Sequence, residues 1–442
     1  MPSSVYGRVE GEEDPQTGTT GGATLGRIFR RGLLTTFAFD LVTSALAAAS
    51  VVVLIRGLSV SSYAYTTLFL TFAQFAGAGA AGGVRTRYLR EEAERVSRIG
   101  DEAPPRGFTD ALVRGTLFIV ILDGCAIPIA LLAGFGSKLG GAGVVILAAT
   151  GFAIGLAAVE LAVAHYQARK RFFAAGVLRV IRAVALLAAS FAVVLTSESI
   201  AAISVWFIAT MAVIGAVAVL PILRQAHQLV LNRASWLRFK SEELWLSFYY
   251  VAAAGFAYVD VMVAGALLNH EQVASLGAAL RYLAVILGAI PALGAILRVR
   301  TSQYDVVDSP ANQKRMIVEW IRRGTLPTGL LVGGAALLAP VLIPVIDNGR
   351  YPDSIPALQI FLGTALSAYL TAPAANVLMA QRRFAVLATI YAVGLLANLV
   401  GDIAVARSFG VVGIAVVSTS VYVAIDIAMV LQGLRYATRQ RR

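Results

Sequence analysis

The chain has 442 residues, 58% of them hydrophobic and 14% charged, with a formal net charge of +12 and a mean hydropathy of +0.76. Soluble domains carry about 25% charged residues, so water is not the solvent of most of this chain. A single cysteine, Cys125, and three histidines exclude a disulfide framework and a Cys/His metal centre.

Residues 1–26 are polar and rich in Gly, Thr and acid (Glu10, Glu12, Glu13, Asp14). They hold too little apolar surface to offset the entropy of ordering and are expected to form a disordered tail. No cleavable leader is expected, because the first apolar run follows this tail and is long enough to span. Crossing a hydrocarbon core about 30 Å thick takes about 20 residues of helix at 1.5 Å each. Stretches near 32–55, 64–84, 111–134, 143–166, 177–196, 200–223, 245–268, 273–297, 325–346, 355–380, 384–405 and 411–434 meet that length. They predict an all-α integral membrane protein of about twelve transmembrane helices. It divides into an N-terminal half at 27–223, a linker at 224–244, a C-terminal half at 245–434 and a basic tail at 435–442. Two connections, Leu229–Leu246 with Trp236 and Trp245, and Gln313–Arg323 with Ile317, Trp320 and Ile321 on one face, read either as helices lying on the membrane surface or as snorkelling ends of adjacent spans.

Lys and Arg favour cytoplasmic loops. With the N-terminal tail in the cytoplasm, that side collects 32 of the 37 Lys and Arg, including seven from Arg85 to Arg114 and five around Arg169, Lys170 and Arg171. The opposite side has Arg56, Lys138, Arg350 and Arg407, which leaves Arg281 as the one basic residue well inside a span. The basic excess is therefore topology: the chain's partners are membrane lipids, not nucleic acid, and both termini are expected in the cytoplasm. The outer loops are short, which leaves no outer domain.

The fourth span exits through Tyr166-Gln167-Ala168-Arg169-Lys170-Arg171-Phe172 and the tenth through Met379-Ala380-Gln381-Arg382-Arg383-Phe384, which points to a duplicated half, a frequent transporter design. Further segments resemble the polysaccharide flippases of the multidrug/oligosaccharidyl-lipid/polysaccharide exporter superfamily. Arg56-Gly57-Leu58 followed by Tyr63 is similar to the turn between that family's first two spans, with Ala64 in place of its usual glycine. Asp260, then Leu276 to Tyr282 with Arg281, resembles its seventh and eighth spans. Tyr351 with Pro356-Ala357-Leu358, Asn398 to Asp402 and Phe409 to Ala415 resemble its tenth to twelfth. The resemblance implies two six-helix halves related by a pseudo-two-fold axis around a V-shaped central cavity. It also implies a transporter rather than an enzyme, flipping a polyprenyl-linked oligosaccharide across a bacterial plasma membrane by alternating access, for cell-surface polysaccharide biosynthesis. No cofactor is expected beyond a coupling Na+ or H+. Polymerases or glycosyltransferases of the same pathway are the expected protein partners.

Ionisable groups at membrane depth are costly and mark function by default. Asp40, Asp123, Glu160, Asp260, Arg281, Asp402 and Asp426 stand out. Asp260 and Arg281 lie equally far from the turn between spans seven and eight, roughly 12 to 15 Å deep at helical rise, and are expected to touch. They form either a structural ion pair or a site in which Arg281 grips a lipid pyrophosphate with Asp260 as its resting partner. Asp260, Asn398 and Asp402 match positions where some relatives hold a coupling cation, and Asn398 and Asp402 share a helix face. Asp40 and Asp123 are expected to line the cavity, with Tyr282 and Arg56 as further substrate contacts. Arg56 reads equally as a snorkelling anchor, and Glu160 and Asp426 as groups reaching the cytoplasmic interface. Tyr249, Tyr250, Tyr258 and Tyr282 suit either sugar stacking or packing between helices. Two rival functions stay open: a cation-coupled multidrug exporter of the same superfamily, and a membrane-embedded polyprenyl-sugar polymerase or glycosyltransferase.

Overall fold

The computed structural model describes residues 18–100, 104–105, 107–132, 142–196, 198–225, 241–287 and 310–439. Apolar surroundings offer the backbone no water, so each spanning segment has to bond its own N–H and C=O groups, and the described residues contain helices without strands. In chain order these are α1 Gly18–Gly57, α2 Val60–Phe75, a π-turn Ala76–Ala80, α3 Ala81–Ile99, α4 Phe108–Leu132, α5 Ala142–Ala168, α6 Phe172–Thr196, α7 Ile200–Gln225, α8 Ser241–Leu267, α9 His270–Leu287, α10 Pro310–Asp347, α11 Ser354–Ala380 and α12 Phe384–Arg439.

Nine helices among the described residues are long and apolar enough to cross a membrane, and α12 counts twice. At Gly410 its backbone leaves the helical region, with φ 56° and ψ −140°, a conformation that suits glycine. A methyl group on Gly401 would fall 2.6 Å from Val417 Cγ1, and one on Gly394 would collide with Ile425. Residues at similar distances on either side of Gly410 therefore touch, so 384–409 and 411–439 are antiparallel arms of a hairpin. With α4 and α9 the spans reach the expected twelve.

Two segments differ from expectation. Residues 18–26 of the expected disordered tail continue α1 as helix. The segment Gln313–Arg323 is the first part of α10 rather than a separate surface helix: Ile317 is buried and Trp320 Nε1 donates to Tyr369 O at 3.0 Å, so its apolar face meets protein instead of headgroups. Of the other proposed surface helix, 226–240 lie outside the described residues, and Trp245 belongs to α8.

The duplication is visible in the pairing of helices. In the first half α1 packs on α6, α5 on α7, and α4 and α2 on α5; in the second α8 packs on α12, α11 on α12, and α10 and α9 on α11. Contacts between halves obey the same exchange, since α2 meets α8 as α9 meets α1, and α2 and α9 meet each other. The two repeated exits share one helix-ending motif. Lys170 and Arg382 take left-handed φ values of 57° and 55°, Arg171 N donates to Tyr166 O as Arg383 N does to Leu378 O, and Lys170 N donates to Gln167 O as Arg382 N does to Met379 O. This is the pair of bonds that satisfies orphan carbonyls at a helix C-terminus.

The core lies where the halves meet. Tyr63–Ala73 of α2 and Val273–Ala279 of α9 are buried without a break, whereas α10 exposes Leu326, Leu330, Leu331 and Leu337, a face suited to lipid. The central pair crosses at Gly277, where a Cβ would overlap the Thr67 side chain.

Candidate functional site

A polar layer runs through the middle of the bundle, and its chemistry changes from one half to the other. In the second half, α8 supplies Asp260, the first arm of α12 Asn398 and Asp402, and the second arm Ser418. Asn398 Nδ2 donates to Asp260 Oδ1 at 2.6 Å, and Asp402 lies beside Asp260. Asn398 and Asp402 are 0% exposed and Asp260 and Ser418 4%. Both Asp402 oxygens, Asn398 Oδ1 and Ser418 Oγ make no hydrogen bond among the described residues. Adjacent buried carboxylates repel unless a proton or cation lies between them, and this set of carboxylate, amide and hydroxyl oxygens fits a hard cation. Asp260, Asn398 and Asp402, expected together from sequence, do converge; Ser418 was not singled out, because only the hairpin brings its arm alongside.

Asp260 and Arg281 do not pair. Asp260 turns toward α12, while Arg281 makes no hydrogen bond or ion pair among the described residues and lies within electrostatic reach of Tyr63 and Tyr258. Distance from the turn sets depth along a hairpin but not the direction in which each side chain leaves its helix. Both still border one cavity of about 260 Å³, whose walls include Phe256, Tyr258, Phe361 and Tyr422. Arg281 also borders a second cavity of about 150 Å³ on the side of the first half. Thr67, Gln74 and Arg281 belong to both.

The second cavity holds another arginine, Arg182, so Arg281 is not the one basic residue inside the membrane. Arg182 stands ten residues into α6, about 15 Å at helical rise. It donates to Glu160 Oε1 across a short contact, and Arg85 Nη1 donates to Glu160 Oε2 at 2.7 Å. Glu160 is thus held by two guanidiniums rather than reaching for the interface. The signal missed in the sequence was Arg179 and Arg182 at a spacing of three, just inside the start of the fifth apolar run.

Of the remaining expected site residues, all but Tyr258 lie outside the walls of these two cavities. Asp40 accepts from Arg179 Nη1 at 2.5 Å. Asp123 accepts from Thr150 Oγ1 at 2.7 Å between α4 and α5, with its Oδ1 buried and unpartnered among the described residues. Tyr282 is buried against Asp347, Tyr63 and Tyr351 rather than in a cavity wall. Arg56 is exposed but engaged: its Nε and Nη2 donate to Ile346 O at 2.6 Å and Val345 O at 2.5 Å, and Arg350 Nη1 returns bonds to Ile55 O and Arg56 O at 3.2 Å. These two arginines tie the ends of α1 and α10 across the halves. Asp426 is 2% exposed and accepts from Thr371 Oγ1 at 2.9 Å and from Ser367. Tyr249 and Tyr250 pack on each other and Tyr249 on Tyr391, which favours the packing role; Tyr258 borders the larger cavity.

At the basic end, on α3 beyond the membrane segment, burial works against the Glu92 charge. Hydrogen bonds from Arg95 Nη2 at 2.7 Å and Arg169 Nη2 at 3.0 Å outweigh it and hold the carboxyl below the ordinary glutamate range.

No protein-family model and no curated protein sequence matches the chain. Solved structures do. The lipid II flippase MurJ in its inward closed conformation superposes with a TM-score of 0.70 at 12% identity, covering 90% of this chain and 87% of MurJ. A multidrug resistance MATE family transporter of the MOP superfamily, outward-facing, gives a TM-score of 0.59 at 12% identity over 93% and 96% of the two chains. A MOP superfamily transporter from Pyrococcus furiosus gives 0.57 at 12% identity over 93% and 96%. The chain is a multi-pass membrane protein of about twelve helices whose fold is that of MurJ and of the MATE transporters of the MOP superfamily.

Proposed function

We propose that the protein is a transporter that flips a polyprenyl-(pyro)phosphate-linked oligosaccharide from the cytoplasmic to the outer leaflet of a bacterial plasma membrane by alternating access. The observation that carries this reading is Arg281: a guanidinium between two cavities, with no acidic partner among the described residues. Arg281 is half-buried, so its charge is partly withdrawn from water without an acidic partner, and a planar guanidinium fork fits a phosphate bidentately. The fold shared with a lipid II flippase supports the same direction. In this reading the chain needs no covalent chemistry and hands its product to polymerases or glycosyltransferases outside.

A monovalent cation or a proton at Asp260, Asn398, Asp402 and Ser418 would couple transport to an ion gradient, because filling that cluster relieves two adjacent carboxylates. Asp260 and Ser418 border the larger cavity as well, which supports a coupling site next to the proposed substrate path. Transport rates insensitive to both sodium and pH gradients would remove this part of the proposal.

A second reading has one observation in its favour: the larger cavity combines Asp260 with aromatic walls, surroundings that attract organic cations. Liposomes carrying the purified protein separate the two. Wild type is expected to move a fluorescent polyprenyl-pyrophosphate sugar, and Arg281→Ala to lose that movement. No movement of the sugar lipid, together with pumping of a cationic dye under an ion gradient, would replace the flippase by a drug exporter.

A further inference from the structure

The smaller cavity carries a second charged device that the flippase reading leaves unused. Its walls join Arg281 of α9 to Arg182 of α6, and between them stand Thr43, Ser50, Tyr63, Thr66, Thr67 and Gln74. Thr43 Oγ1, Tyr63 OH and Thr67 Oγ1 are buried and complete no hydrogen bond among the described residues, although Tyr63 and Thr67 lie side by side. Buried hydroxyls left unbonded cost free energy, so a cavity lined by them and by two guanidiniums suits a ligand that is both hydroxylated and anionic.

Arg182 is presently engaged, and its partner shows how it is released. One carboxylate, Glu160, is shared by Arg182 and Arg85, whose side chains are 18% and 37% accessible. If Arg182 turns toward a phosphate, Glu160 keeps Arg85. The exchange therefore strands no buried charge, the step that makes breaking most buried ion pairs costly. Arg179, three residues earlier, is occupied separately by Asp40, so the local balance is three guanidiniums against two carboxylates, with a further positive charge at Arg281.

Resting on the flippase reading above, we infer that Arg182 is a second phosphate-binding residue, held by Glu160 as a resident counter-ion until substrate displaces it. With Arg281 it selects a diphosphate over a monophosphate. The two arginines come from opposite halves, so a diphosphate bridging them would also tie the halves together at mid-membrane, whereas a monophosphate engages Arg281 alone.

The test is binding of farnesyl diphosphate and farnesyl monophosphate to the full chain in detergent, followed by intrinsic tryptophan fluorescence or thermophoresis. Wild type is expected to prefer the diphosphate. Arg182→Gln should weaken diphosphate binding about tenfold, the loss of one charge-assisted contact, and leave the monophosphate unchanged. Arg281→Gln should weaken both. Glu160→Gln removes the competing anion and should tighten the diphosphate several-fold, the opposite of what loss of a structural brace would do. If Arg182→Gln does not fold, the Glu160→Gln result decides alone. Wild-type diphosphate binding in Arg182→Gln, or weaker binding in Glu160→Gln, overturns the inference while Arg281→Gln still supports the flippase reading. Failure of wild type to bind either probe, or indifference of both probes to Arg281→Gln, overturns that reading and this inference with it.

Discussion

The two halves repeat one arrangement of helices but differ in how most of their acids are partnered. In the first half Asp40, Glu92 and Glu160 each meet at least one arginine, Asp123 on Thr150 being the exception, and its cavity presents a guanidinium. In the second, Asp260, Asp402 and Asp426 meet hydroxyls, an amide or each other, and no arginine pairs with them among the described residues. Related positions underline the contrast: α1 and α6 face each other through Ser50 Oγ and Ser190 Oγ at 2.6 Å, whereas α8 and α12 do so through Asp260 and Asn398. A duplicated scaffold has thus kept its packing while the charge of its polar layer diverged, as the proposed anion and cation sites require. Packing depends on the small and apolar surfaces of each helix pair, and single polar substitutions change the charge of the layer without disturbing it.

The largest effect is expected in the second half. Wild type should melt at a higher temperature in sodium chloride than in choline chloride, by the equivalent of about 2.7 kcal/mol at a hundredfold excess over the dissociation constant. Asp402→Asn, which removes the repulsion itself, should melt higher than wild type in choline and lose the sodium response. A sodium response that survives in Asp402→Asn would break the assignment of this half to cations.

Next comes the first half, through Glu92. Glu92→Gln should cost about 2 to 3 kcal/mol at pH 7, since it leaves Arg169, 4% accessible, with a neutral partner. The folded carboxyl is held below its unfolded value. Its contribution is therefore present above the ordinary glutamate range near 4.3 and is lost as pH falls through the lowered folded value. Denaturation series from pH 7 to 3 should show wild type and Glu92→Gln converging only at the acid end; a constant gap would mean that the pair contributes no pH-dependent stability.

The smallest effect tests what the halves share. Lys170 and Arg382 occupy the same left-handed helix end, where a Cβ is unfavourable. Lys170→Gly should raise stability by about 0.5 to 1 kcal/mol. Arg382→Gly should gain less, because the Arg382 side chain has contacts of its own to lose. Destabilisation by Lys170→Gly would show that the two exits are alike in backbone only.

Much of this was legible before any coordinates. Apolar run lengths and the alternation of Lys and Arg yielded twelve spans, and the Arg-Phe exits yielded the duplication, because both are written along the chain. The convergence of Asp260, Asn398 and Asp402 followed from the resemblance and from one helical spacing. Other features were not legible. Gln313–Arg323 has the amphipathic pattern of a surface helix, and only its contact with Tyr369 shows that protein covers it. Arg182 was counted with the basic loop before it, because a span boundary drawn by hydropathy drifts by a few residues.

By itself, then, the sequence determined the solvent, the number of crossings, the repeat and the depth of charges well away from a span boundary, all quantities that depend on position along a helix axis. Only the tertiary structure decided that Asp260 faces Asn398 instead of Arg281, that Arg182 shares a cavity with Arg281, and that Arg56 clasps the end of α10. These are matters of azimuth and neighbour. They depend on how each helix is rotated about its own axis, and that rotation is set by small-residue contacts such as Gly277 on Thr67, formed between segments 210 residues apart.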